Sequence, residues 1–149
     1  MALIDLIKKE FIAAPLKATD KPGVIGELVG LLDTGGLLSS REDVVGAVLQ
    51  RESLGSTGLE KGIAIPHAKT TAIKDIAMAI GISPGGIEFQ ALDGQPSRVF
   101  FLILAPPDQS GPHIEALSEI AQATRSGAFL RLLESARSPE EVVELFQED

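Results

Sequence analysis

An unbroken apolar run, Val99-Phe100-Phe101-Leu102-Ile103-Leu104-Ala105, ends at Pro106-Pro107. Successive side chains of a strand point to opposite faces, so a run that is apolar at every position belongs to a strand covered on both sides. The run predicts the central strand of a sheet, with helices above and below it. It is far shorter than the ~20 residues that a membrane span needs. Upstream, Ile76, Met78, Ile80 and Ile82 alternate with Ala77, Ala79 and Gly81, which makes one face bulky and the other small. This pattern predicts an interior strand approached closely by a helix on its small side. Pro84-Gly85-Gly86 and Leu92-Asp93-Gly94 read as turns around a short strand at Ile87-Glu88-Phe89.

The rest of the chain supplies the covering layers. Leu3, Ile4, Leu6, Ile7 and Phe11 fall at helical spacing with Lys8 and Lys9 outside, which predicts a short amphipathic helix. The segment 12–18, with Pro15, reads as an edge strand. Thr19-Asp20-Lys21-Pro22 starts a helix that carries Ile25, Leu28, Val29 and Leu32 and ends at Gly35-Gly36. Ser40 and Asp43 form the signature of a capping box, and Val44, Val45, Val48 and Leu49 the buried stripe of the helix that follows. A later helix from about His113 to Ser126 is expected to bury Ile114, Leu117, Ile120 and Ala121. Phe129 to Leu133 reads as a short helix, and Ser138-Pro139-Glu140-Glu141 starts the last one, docked by Val142, Val143, Leu145 and Phe146. The expected fold class is α/β: a single-domain layer sandwich over residues 1–149, with a central mixed β-sheet flanked by helices on both sides.

Charge and composition narrow the function. A net charge of -8 argues against nucleic acid as the main partner, because phosphate backbones require a basic surface. The absence of cysteine excludes disulfides, thiolate catalysis and the usual cysteine-bound zinc sites. Asp5, Lys8, Lys9 and Glu10 interrupt the apolar pattern of the N-terminus, which a signal peptide's apolar region would not tolerate. A soluble, cytoplasmic protein is expected.

The chemistry concentrates in one stretch, Arg51 to Lys69, RESLGSTGLEKGIAIPHAK. Ile63-Ala64-Ile65 reads as a strand, and Pro66, which lacks an N–H, is expected to end its pairing and deliver His67 at a strand end. An imidazole titrates near neutral pH, and its ring nitrogen is a competent nucleophile. Residue types alone leave other readings open. A histidine after proline can be structural, Arg51 in the last turn of a helix can simply answer the helix dipole, and His113 at a helix start can cap it or lie exposed. GSTG by itself lacks the spacing and the lysine of a nucleotide P-loop. A metal-dependent hydrolase is disfavoured, because neither HExxH nor a comparable carboxylate cluster accompanies the two histidines.

GSTG followed by GIAIPH, with Arg51 before it and His113 opening a later helix after a Pro-rich loop, resembles the enzyme IIA proteins of the bacterial phosphotransferase system. The resemblance is to the fructose/mannitol family, which includes nitrogen-regulatory members, and covers about residues 40–146. It implies a phosphoryl carrier in which His67 is phosphorylated and His113 and Arg51 are its active-site neighbours; Ser56 and Thr57, in a glycine-flanked turn, can supply hydroxyl and backbone N–H donors for phosphate. It implies no nucleotide or metal cofactor. The implied partners are an HPr-like phosphocarrier and a IIB component, expected as separate polypeptides because no IIB or membrane IIC region follows Asp149. The alternative it carries is a nitrogen-regulatory protein that signals by phosphorylation-dependent binding. Leu54, Leu59 and Ala68, with Ile82 to Gly86, are the expected docking rim.

Overall fold

The structure, a computed structural model, describes residues 3–147. Five strands form one mixed sheet: β1 (Ile12–Ala13), β2 (Ile63–Ala64), β3 (His67–Lys69), β4 (Ala77–Ile87) and β5 (Ser97–Ala105). β4 and β5 pair antiparallel and form its centre; β1 runs parallel to β4 at one edge, while β2 and β3 run parallel to β5 on its other side. The helices are α1 (Lys21–Thr34), α2 (Arg41–Ser53), α3 (Ser110–Ala123), α4 (Gly127–Glu134) and α5 (Pro139–Gln147).

Strand β5 is the two-sided strand that its apolar run predicts. Val99, Phe101 and Ile103 pack with Met78, Ile80 and Ile82 under Ile120 of α3, Leu133 of α4 and Val142 of α5. Phe100, Leu102 and Leu104 face the other way, with Ala77 and Ala79, onto Ile25 and Leu28 of α1 and Val44 and Val48 of α2. Helix α1 packs over the small face of β4 at Ala77 and Ala79 as expected, but at Gly81 the close neighbour is Leu16, ahead of that helix: a Cβ there would lie 2.8 Å from a Leu16 methyl. The helix starts are equally legible, since Asp20, Ser40 and Ser138 accept from the backbone N–H of Gly23, Asp43 and Glu141.

Several expectations are corrected. The N-terminal segment forms two 3-10 turns, Leu3–Leu6 and Lys9–Phe11, rather than one amphipathic helix, and the edge strand is limited to Ile12–Ala13. Pro84-Gly85-Gly86 is not a turn between strands: β4 runs through it to Ile87, with a register shift between Ile82 and Ile87 that absorbs the extra residues as an irregularity in the pairing. Helix α3 begins at Ser110, and its buried residues are His113, Ala116 and Ile120, while Ile114 is 66% exposed and Ala121 also faces solvent. Leu49 is likewise on the outside of α2. Pro66 interrupts the pairing on β5 without ending it: its carbonyl still accepts from Ile103 N–H, and His67, Ala68 and Lys69 resume the ladder opposite Ile103, Leu104 and Ala105. Among the described residues, no helix is long and apolar enough to cross a membrane.

Candidate functional site

Strand alternation decides where the histidine points. Ala68 is buried in the core beneath α1 and α2, so His67 and Lys69, on either side of it, project to the face where α3 lies. There His67 meets His113 in the first turn of α3. The two ring centroids are 5.4 Å apart and the planes stand at 73°, edge to face.

The protonation of His67 follows from its contact. Nδ1 lies 2.8 Å from the carbonyl oxygen of Ile65. A carbonyl can only accept, so Nδ1 carries the hydrogen, and in the neutral ring Nε2 keeps its lone pair. The half-buried ring therefore has Nε2 as its unprotonated nitrogen, the atom able to act as a nucleophile.

His113 is only 4% exposed, and its Nε2 is buried without a hydrogen-bond partner. Burial holds its pKa below the ordinary 6.5, and the nearby His67 and Lys69 push it the same way. A neutral ring with an unmet polar atom thus sits directly beside His67. Lys69 completes this face: its ammonium donates to Ser110 Oγ at 2.8 Å, which sets a cation at the N-terminus of α3. Lys69 is not among the site residues that the sequence singles out, although its position two residues beyond His67 puts it on the same face of a strand. Together the cation, the helix N-terminus and an unmet imidazole nitrogen make a site suited to an anion held against His67 Nε2.

The other three expected site residues lie in the last turn of α2 and in the segment after it, which hydrogen-bonds to Ile63 and Ile65. Arg51, in the last turn of α2, donates from one guanidinium nitrogen to Gly55 O at 2.8 Å. Ser56 Oγ donates to Phe89 O at 2.6 Å and accepts from Gly58 N–H. Thr57 is buried, and both its N–H and its hydroxyl bond the carboxylate of Glu52. The hydroxyls of Ser56 and Thr57 are thus already engaged within the protein. Gly58 is demanded by space, since a Cβ there would lie 2.9 Å from Ala91 Cα and 3.0 Å from Phe89 O. Of the expected docking rim, Ala68 and Ile82 are core, whereas Leu54 is 81% exposed and Leu59 partly so.

The profile of the family described as "Phosphoenolpyruvate-dependent sugar phosphotransferase system, EIIA 2" matches residues 5–149. The chain is 35% identical over 148 residues to the PTS system fructose-specific EIIABC component of Bacillus subtilis, covering 99% of this chain and only 23% of that protein. It is 33% identical over 143 residues to a nitrogen regulatory protein of Bradyrhizobium diazoefficiens, covering 95% of this chain and 92% of the relative. Among solved structures, the nitrogen regulatory protein IIA-Ntr of Neisseria meningitidis superposes with a TM-score of 0.87 at 30% identity, over 96% of this chain and 97% of the other. Enzyme IIA mannitol of Escherichia coli, solved in complex with phosphorylated enzyme IIB mannitol, superposes with a TM-score of 0.80 at 25% identity, over 94% and 96%.

Proposed function

The chain belongs to the EIIA 2 family of the phosphoenolpyruvate-dependent sugar phosphotransferase system, and from that premise we propose that it is a phosphoryl carrier working through a phosphohistidine at His67. We take residues 1–149 as one such domain, acting in the cytoplasm. The observation that carries the reading is the bond from Nδ1–H of His67 to Ile65 O, which leaves the lone pair on Nε2. In the forward step Nε2 attacks the phosphorus of a phosphohistidine on an HPr-like donor. The new N–P bond forms as the donor's breaks, and the leaving electron pair returns to the donor's ring. The attacking ring becomes more positive, and Ile65 O strengthens its hold on Nδ1–H as it does so. The reverse chemistry hands the group to a IIB component.

The product brings nearly two negative charges to the face that holds His113, Lys69 and the N-terminus of α3. Phosphoryl oxygens accept hydrogen bonds, so His113 Nε2, carrying a hydrogen, gains the partner that it lacks in the unphosphorylated protein. Arg51 can join as a second cation, because its bond to Gly55 leaves further N–H groups to donate. Ser56 and Thr57 contribute by shaping the turn. No metal or nucleotide enters this scheme.

A second reading, regulation by phosphorylation-dependent binding, is favoured by the likeness to nitrogen regulatory proteins. Both readings require the same acceptor. Incubation with enzyme I, an HPr-like donor and phosphoenolpyruvate is expected to add one phosphoryl group by mass spectrometry, and none to His67→Ala. Undiminished labelling of that variant would overturn the assignment, and transfer onward to each IIB component of the source organism separates the sugar reading from the regulatory one.

A further inference from the structure

Glu52 is a charged side chain in a core position. Its carboxylate is 4% exposed, and its ion pair is to Lys21 Nζ at 2.8 Å, itself 15% exposed. The same ammonium lies 4.6 Å from the centre of the Phe89 ring and donates to Gln90 Oε1. An ion pair so enclosed contributes little net stability, because desolvation offsets most of its attraction. The carboxylate makes further bonds beside that pair, and these lead toward the site.

Glu52 Oε1 accepts from Thr57 N–H at 3.1 Å, and Oε2 accepts from the Thr57 hydroxyl. Thr57 O in turn accepts from Ile65 N–H at 3.1 Å. Ile65 O is the acceptor that holds Nδ1–H of His67. Three peptide and side-chain links thus join the buried carboxylate on one side of the sheet to the imidazole on the other. We propose that Glu52 is a positioning residue that, through Thr57 and the Ile65 peptide, holds His67 in the tautomer with a free Nε2. The proposal rests on the phosphohistidine reading above. It assigns Glu52 no contact with the phosphoryl group.

The test compares the protein with Glu52→Gln, Thr57→Val and Lys21→Met. Nitrogen-15 NMR of the imidazoles is expected to show His67 as the Nδ1–H tautomer in the unaltered protein and a mixture with the Nε2–H form in Glu52→Gln. Phosphorylation by the HPr-like donor should slow about tenfold, the scale of one lost orienting hydrogen bond. Lys21→Met keeps the bonds from Glu52 to Thr57, so it should lose stability but keep the tautomer and the labelling rate. If Glu52→Gln does not fold, Thr57→Val, which loses only the hydroxyl link, carries the same expectation at smaller size. A His67 spectrum and rate unchanged in the folded Glu52 or Thr57 variant would overturn the proposal, and so would a tautomer change in Lys21→Met equal to that in Glu52→Gln. Labelling that survives His67→Ala would instead defeat the carrier reading, so the two failures are distinguishable.

Discussion

Two polar clusters face each other across β3, and they are built on opposite principles. Under α1 and α2, the Glu52 carboxylate, the Lys21 ammonium and the N–H and hydroxyl of Thr57 all meet partners inside the fold. Toward α3, His67 keeps a lone pair on Nε2 and His113 buries an Nε2 that meets nothing. A buried polar group without a partner costs about 1 to 3 kcal/mol. Of these two clusters only the second carries that cost, and the difference separates a cluster that is satisfied as support from one left with room for a ligand.

The comparison is broken most forcefully by removing one member from each side. Lys21→Met leaves the Glu52 charge enclosed and should lower unfolding stability by about 3 kcal/mol in chemical denaturation. His113→Leu replaces an unmet polar ring by an apolar one, and should leave stability unchanged or raise it by up to about 1 kcal/mol. The same variant should slow phosphoryl transfer by roughly ten- to a hundredfold, if the His113 contact to the phosphoryl group forms mainly in the transition state. A large loss of stability in His113→Leu would erase the distinction between the clusters.

A pH series sharpens it. His113 in the folded protein titrates below 6.5 because it is buried beside His67 and Lys69, so on acidification the unfolded chain takes up that proton first. Its contribution to stability is therefore complete above 6.5 and is lost as pH falls from there toward the folded value. Melting curves between neutral pH and mild acid should show this loss in the parent and not in His113→Leu. Phosphorylation of His67 places negative charge beside the ring, and an imidazole titration by NMR should then move His113 upward.

The smallest effect concerns the rim of the open cluster. Ile114 follows His113 and is largely exposed, where a docking partner would meet it. Ile114→Asp should slow transfer about fivefold at sub-saturating donor, with the melting temperature unchanged. An unaltered rate would show that partners approach from elsewhere.

Much of the scaffold was legible because its signals are local and redundant. The two-faced run of β5, the bulky and small faces of β4 and the capping residues at Asp20, Ser40 and Ser138 each state their structure within a few positions. The misreadings share a different cause. Hydrophobicity alone phases helix α3 on Ile114, but its true frame starts at Ser110 and turns His113 inward. The missing N–H of Pro66 predicts an end to the pairing, while its carbonyl keeps the strand in register. At the site, the pairing of His67 with His113 required the fold to join distant segments. Glu52 gave no sign of burial, since a carboxylate in a last helical turn ordinarily faces water. Lys69 was readable by strand alternation once β3 was known to continue.

That continuation has a consequence in time as well as in space. The amide of Ile103, held by Pro66 O, belongs to the most enclosed strand in the molecule, so its hydrogen can be traded with solvent only in openings that approach complete unfolding. His67 is the next residue along from that bond. The His67 ring is thus mounted on a short strand bonded directly to that enclosed one, and the tempo of a relay through it is expected to follow the arrival and departure of partners rather than any rearrangement of its mount.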